Sequence, residues 1–287
     1  FNYSVTSNPQ VIISNPTLAS FSSAHDFGNE VNISSTAPSS DGNYLIGGTF
    51  SQSVNLGQTI LRSQGQKDGF VAKLSLSGTI DRSVQLISSG DLSVGSTILG
   101  LDGEIYIIGD FSGDLQVGPF SIQSLGGHDI YVVEWSEDGS LKNLSSIGSS
   151  SNEYFQDACF YQNSLFLTGQ FDGTFSHGTY TVNSKGGEDG FILKVPSIDI
   201  SSASWLQSFG GIEDDRADAL AISSMGKIFL AGSYQGISSF GDITHQSLGL
   251  SDCFVAELNN KGIWQNIYSG GGEGADKVNG LYLEQEN

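Results

Sequence analysis

Carboxylates are the side chains most able to do chemistry in this chain of 287 residues. Its 31 acidic residues outweigh 11 Lys and Arg, and the net charge is −20 at pH 7. Two acidic sets recur. The first is Asp68, Asp129, Asp189 and Asp252, each of which follows a Ser-x-Gly, at Ser63, Ser124, Ser184 and Ser247, and opens an apolar run. An aspartate so placed suits a turn in which the carboxylate accepts hydrogen bonds from nearby main-chain N–H groups. It could also ligate a cation, but the same residue in four copies points to the turn. In the second set Asp157, Asp218 and Asp276 align with one another and with Asn29. Glu153, Glu213, Asp214, Asp215 and Glu273 lie just upstream. From this set, Asn29, Glu153, Asp157, Asp214, Asp218, Glu273 and Asp276 are the candidate ligand or cation residues. Converging carboxylates could hold Ca²⁺, a hard cation that takes six to eight oxygens. A pair at the right separation could supply the acid and base of glycoside hydrolysis. The competing reading is hydrogen bonding to backbone between successive repeats.

Other chemistry is poorly provided for. His25, His128, His177 and His245 are scattered, with no His-Glu-x-x-His and no His/Cys spacing for zinc. Cys159 and Cys253 form neither a metal nor a redox motif. The Gly-rich SGGGEGAD from Ser269 lacks the Lys-Ser/Thr of a phosphate loop. So acidic a surface repels nucleic-acid phosphates and anionic lipid heads. No apolar run approaches the roughly 20 residues that cross a bilayer as a helix. The chain begins at Phe1 with no visible signal peptide, which fits a mature or trimmed form.

The elements that position the acids come from a repeat. SQGQKDGFVAKL from Ser63 is echoed by SLGGHDIYVVEW from Ser124, SKGGEDGFILKV from Ser184 and SLGLSDCFVAEL from Ser247. A Gly-x-aromatic landmark recurs at Gly48, Gly109, Gly169 and Gly232, at intervals of 61, 60 and 63 residues. In every copy the aromatic residue, a Gly and the Asp keep fixed spacing: Phe50, Gly57 and Asp68; Phe111, Gly118 and Asp129; Phe171, Gly178 and Asp189; Tyr234, Gly241 and Asp252. Each copy contains four short runs rich in β-branched and aromatic residues, and no window shows helical periodicity. An extended connection of 17 residues is expected between the second and third strands of each repeat, from the aromatic to the Asp.

Four-stranded units repeated around an axis make a β-propeller. The expected fold is therefore all-β: one propeller over residues 1–287, with repeats at 25–90, 91–150, 151–211 and 212–274. A fifth blade is expected from residues 1–24 and 275–287, because ADKVNGLYL near the end echoes ADALAISS. Phe70, Tyr131, Phe191 and Phe254 are expected to wedge between blades. Trp135, Trp205 and Trp264 fall within strands and read as core.

The module resembles the SBBP-type β-propeller repeat of bacterial and archaeal proteins, over residues 25–287. Gly169, Phe171, Ser184, Gly186, Asp189, Phe191 and Lys194 carry the match. The resemblance implies a secreted or cell-surface protein and brings no catalytic motif. The expectation is a non-catalytic structural or binding module, with a protein or glycan partner or with copies of itself, no nucleic acid, no membrane insertion, and no cofactor other than Ca²⁺. One alternative is a subunit of a surface filament or layer built by strand exchange. The other is a carbohydrate-active enzyme or Ca²⁺-dependent glycan binder that uses the acidic residues.

Overall fold

The structure, a computed structural model, describes residues 10–15, 20–28, 30–101, 103–136 and 138–283. Among them all regular elements are β-strands and none is a helix. The chain divides into two compact units, Phe1–Ser124 with Tyr131–Ser146, and Leu125–Ile130 with Ile147–Asn287.

The first unit begins with β1 (Gln10–Asn15) and β2 (Ser20–Asp26), which among the described residues pair only with each other, as a two-stranded antiparallel sheet. The first repeat follows as β3 (Val31–Pro38), β4 (Tyr44–Phe50), the hairpin β5 (Ser53–Leu56) and β6 (Thr59–Arg62), β7 (Asp68–Leu74) and β8 (Ile80–Ser88). β3, β4, β7 and β8 form an antiparallel meander. Every residue of β7 is buried, whereas β3 alternates between buried and less buried positions. Inner strands covered on both faces carry unbroken apolar runs, and outer strands do not. The second repeat supplies β9 (Ser96–Leu99), β10 (Glu104–Val117), β11 (Phe120–Ser136) and β12 (Leu141–Ile147), ordered β9, β10, β11, β12 in the same sheet.

The second unit repeats the plan. β13 (Glu153–Tyr161), β14 (Ser164–Phe171), β17 (Asp189–Pro196) and β18 (Trp205–Gly210) form one antiparallel meander, with the hairpin β15 (Thr174–His177) and β16 (Tyr180–Asn183) between its middle strands. β19 (Arg216–Ile222), β20 (Ile228–Phe240), β21 (Ile243–Leu258) and β22 (Trp264–Gly270) form the other.

The long connection in each repeat is a β-hairpin. Its tip carries Gly57, Gly118, Gly178 or Gly241, all with φ between 55° and 73°. That left-handed conformation strains any residue with a Cβ and explains the recurring glycine. In the second and fourth repeats the hairpin also adds to the outer strand of the preceding meander: Leu115 pairs with Ser88, and Phe240 with Phe209. Two meanders thereby join into one sheet in each unit.

Between the joined meanders lie apolar clusters. In the first unit Val84 and Leu86 pack with Ile105, Phe111 and Tyr131. In the second, Ile192 and Phe209 pack with Leu230, Phe240 and Phe254. Tyr131 and Phe254 thus sit in clusters shared by two repeats. Phe70 packs on Phe27 and Phe50, and Phe191 on Phe171 and Phe175 of its own repeat. Trp135 and Trp205 are buried in these cores.

A closed ring of five blades is not seen. Among the described residues no ladder joins residues 275–283 to β1 or β2. The C-terminal stretch makes one parallel bridge, Ser251 with Ala275, and no strand up to residue 283. The Asp276 N–H donates to the Ser251 carbonyl and its carboxylate accepts from the Gly272 N–H, as at the start of the preceding repeat, but here no described strand follows. Part of the expected closing blade, at 1–9, 16–19 and 284–287, lies outside the described residues.

Candidate functional site

The Asp that opens the third strand of each repeat is buried in all four copies, with exposure of 2% or less. Each carboxylate accepts from the main-chain N–H four residues earlier: Gln64 to Asp68, Leu125 to Asp129, Lys185 to Asp189 and Leu248 to Asp252. This closes the Ser-x-Gly turn onto the strand. The carboxylate lies beside the end of the fourth strand. There Gly148, Gly210 and Gly271 have no room for a side chain, since a Cβ would fall 2.3, 2.4 and 2.5 Å from atoms of Asp129, Asp189 and Asp252.

A second carboxylate follows five residues after each of these glycines. It also accepts from an N–H four residues earlier: Ser149 to Glu153, Gly211 to Asp215 and Gly272 to Asp276. The structurally equivalent acids are therefore Glu153, Asp215 and Asp276. The alignment of Asp157 with Asp218 and Asp276 is corrected. β-Bulges in the first strands of the third and fourth repeats fix the true correspondence. Register shifts between Phe155 and Asp157 in β13, and between Ala217 and Ala219 in β19. Asp157 then pairs with Thr168, the counterpart of Ala219 with Ala231, while Asp218 is the bulged residue. Both strands bulge at the same place, so Gln156 is the counterpart of Asp218, and Asp157 stands one position further along.

The remaining candidates separate. Asp157 accepts from the N–H groups of Ala158 and Leu220, both at 2.8 Å, and so ties β13 to β19. Asp218 forms an ion pair with Arg216 at 2.6 Å. Asp214 is exposed and caps the Glu188 N–H at 3.1 Å. Glu273 is exposed. Asn29 lies outside the described residues. Among the described residues no three His, Cys, Asp or Glu side chains are grouped to hold a metal ion. The acids do not form one mouth.

They form pairs instead, all in the second unit: Asp129 with Glu153, Asp189 with Asp215, and Asp252 with Asp276. Burial pushes the Glu153 carboxyl up to about 7; hydrogen bonds from Ser149 oppose this, and the charges of Asp129 and Asp172 add to it. Burial, then the charge of Asp215, pushes Asp189 up to about 7. Asp215 is raised to about 6, chiefly by burial, against hydrogen bonds from Ser238, Gly211 and Gln235. Two like charges this close disfavour double ionisation. The first repeat lacks the second acid. Ser88 and Ser93 replace the glycine and the acid, and Asp68 accepts instead from the Gln85 side-chain amide and the Ser88 N–H. The sequence reading places Asp215 among the upstream acids but not among the candidates, and it does not see the pairing; the signal is Gly-x-x-x-x-acid at Gly148, Gly210 and Gly271.

The pairs set a pH dependence. Folding raises these three carboxyls above their unfolded values, so it favours their protonated forms. Their stabilising contribution is complete below about pH 4 and is lost as pH rises through 6 to 7. The urea midpoint is expected to fall between about pH 5 and pH 8. Glu153→Gln, which keeps the shape and removes the charge, is expected to shallow that fall. A slope identical to that of the unsubstituted chain would remove Glu153 from the account.

The chain matches no protein-family model and no curated protein sequence.

Proposed function

We propose that the chain is a non-catalytic repeat module of a secreted or cell-surface protein, which presents a regular β-surface to a protein or glycan partner. In this reading the four meanders are blades of a β-propeller of the SBBP type, and β1, β2 and the C-terminal stretch belong to a fifth. One observation carries it: all four repeats place an Asp at an equivalent position and hold it with their own backbone N–H group, and three hold a second acid in the same way. An active site needs residues particular to one place, and repetition is what a scaffold needs. The burial of Trp135 and Trp205 supports the same reading, because sugar-processing surfaces use exposed aromatic rings.

A second reading, assembly into a filament or layer by strand exchange, is favoured by β1 and β2 pairing only with each other among the described residues. Such two-stranded ribbons present open edges to another chain. Light scattering and a glycan panel separate the possibilities. The module reading expects a monomer of 30.3 kDa that hydrolyses none of the glycans. A polymer would transfer the function to assembly, and turnover of any glycan would overturn the non-catalytic reading.

A further inference from the structure

We propose that Asp252 and Asp276 form a divalent-cation site, with Ca²⁺ as the fitting ion, at the turn that follows β22. Asp252 is 2% exposed and uses one oxygen, Oδ2, to accept from the Leu248 N–H. Its other oxygen, Oδ1, is buried and has no hydrogen-bond partner among the described residues. That atom lies near Asp276: Asp252 Oδ1 and Asp276 Oδ2 lie 2.5 and 2.6 Å from the point where a Cβ on Gly271 would sit. The two oxygens are thus at most about 5 Å apart, within the range where like charges repel. A buried carboxylate oxygen facing a second carboxylate without a donor is costly unless a positive charge lies between them.

The other repeats show how such a charge is supplied. In the first, the second acid is missing and the Gln85 amide donates to Asp68. In the second, the Glu153 carboxyl holds its proton up to about pH 7. In the third, Lys185 reaches in. Its Nζ donates to the Gly210 carbonyl at 3.0 Å, and its charge acts on both Asp189 and Asp215. In the fourth repeat Leu248 stands where Lys185 stands in the third, and its side chain is 76% exposed. Lys277, beside Asp276 in sequence, acts on Asp218.

The surroundings admit an ion. Gly270, Gly271, Gly272, Glu273 and Gly274 are all exposed, so the turn is open to solvent and ions. Ca²⁺ takes oxygen ligands in flexible geometry and tolerates water among them; Mg²⁺ demands a stricter octahedron. The net charge of −20 raises the local concentration of any cation. The site is independent of the functional reading above, since a scaffold, a filament subunit or an enzyme could each carry it.

Calorimetric titration of CaCl₂ into the chelator-stripped full chain at about pH 8 tests the site. A saturable event is expected. Leu248→Lys, a surface change that copies Lys185, is expected to weaken it by about tenfold or more, as is Asp276→Asn. Asp215→Asn is expected to leave it intact. Unsaturable heat in the unsubstituted chain, or binding that survives either Leu248→Lys or Asp276→Asn in a folded protein, overturns the proposal. Should Asp276→Asn fail to fold, Leu248→Lys alone decides.

Discussion

Gly169→Ala is expected to destabilise the second unit by about 3 kcal/mol or more. A Cβ on Gly169 would lie 1.9 Å from the Tyr154 carbonyl oxygen, with a Phe191 ring carbon at 3.1 Å. No side-chain rotation relieves a clash with backbone that is already fixed in a ladder. Gly169 pairs with Phe155, immediately before the register shift of β13. The same approach recurs in each repeat: a Cβ on Gly48, Gly109 or Gly232 would lie 2.0, 2.1 or 2.0 Å from the carbonyl oxygen of Asn32, Ser93 or Arg216. This is why Gly-x-aromatic marks the repeat: the glycine leaves room for the first strand at its bulge, and the aromatic residue fills the core two positions later. Urea unfolding measures the effect. Gly280→Ala is the control, since a Cβ there meets nothing within 4 Å and its effect is expected within about 0.5 kcal/mol. Equal unfolding midpoints for Gly169→Ala and the unsubstituted chain would show that β13 and β14 do not approach so closely.

Phe209→Ala is expected to cost about 3–5 kcal/mol, the range for removing a buried aromatic ring. The Phe209 ring is fully buried and stacks on Phe240 with centroids 4.7 Å apart and planes at 9°. It meets Phe254 edge-on at 4.8 Å and Trp264 at 5.9 Å. It also covers Gly190, where a Cβ would fall 2.1 Å from the ring. Phe209 belongs to β18, and its three aromatic partners belong to β20, β21 and β22. Its loss therefore opens the seam between two meanders instead of weakening one. Calorimetry is expected to show a transition of the second unit that is broader than in the unsubstituted chain or divided, and Trp264 fluorescence should change early in unfolding. Phe209→Leu, which refills part of the volume, is expected to cost less. A loss below about 1 kcal/mol for Phe209→Ala would mean that the two meanders do not depend on this cluster.

Much of the strand pattern was legible because it depends on local rules. Buried inner strands carry continuous apolar runs, so DGFVAKL and its three echoes could be recognised without coordinates. The turn role suited to Asp68, Asp129, Asp189 and Asp252 follows from one carboxylate and backbone four residues away. The hairpins were harder: LGQT and VGPF hold the turn glycine, but the flanking runs are short and polar. They read as connection until paired, and the pairing of Leu115 with Ser88 joins residues from different repeats. The bulges were invisible for a different reason. A bulge is a relation between two strands, and Asp157 and Asp218 look equivalent until their partners, Thr168 for one and none for the other, are known.

By itself the sequence determined an all-β chain, four repeats, their turn glycines and an acidic surface, because these depend on residue type and short spacing. Tertiary structure alone decided which acids meet. Asp252 and Asp276 are 24 residues apart in the chain. They become neighbours only because β21 and β22 pair side by side and Gly271 carries no side chain to separate them. Their electrostatics depend on distance through space and on burial, and neither quantity can be read along a chain.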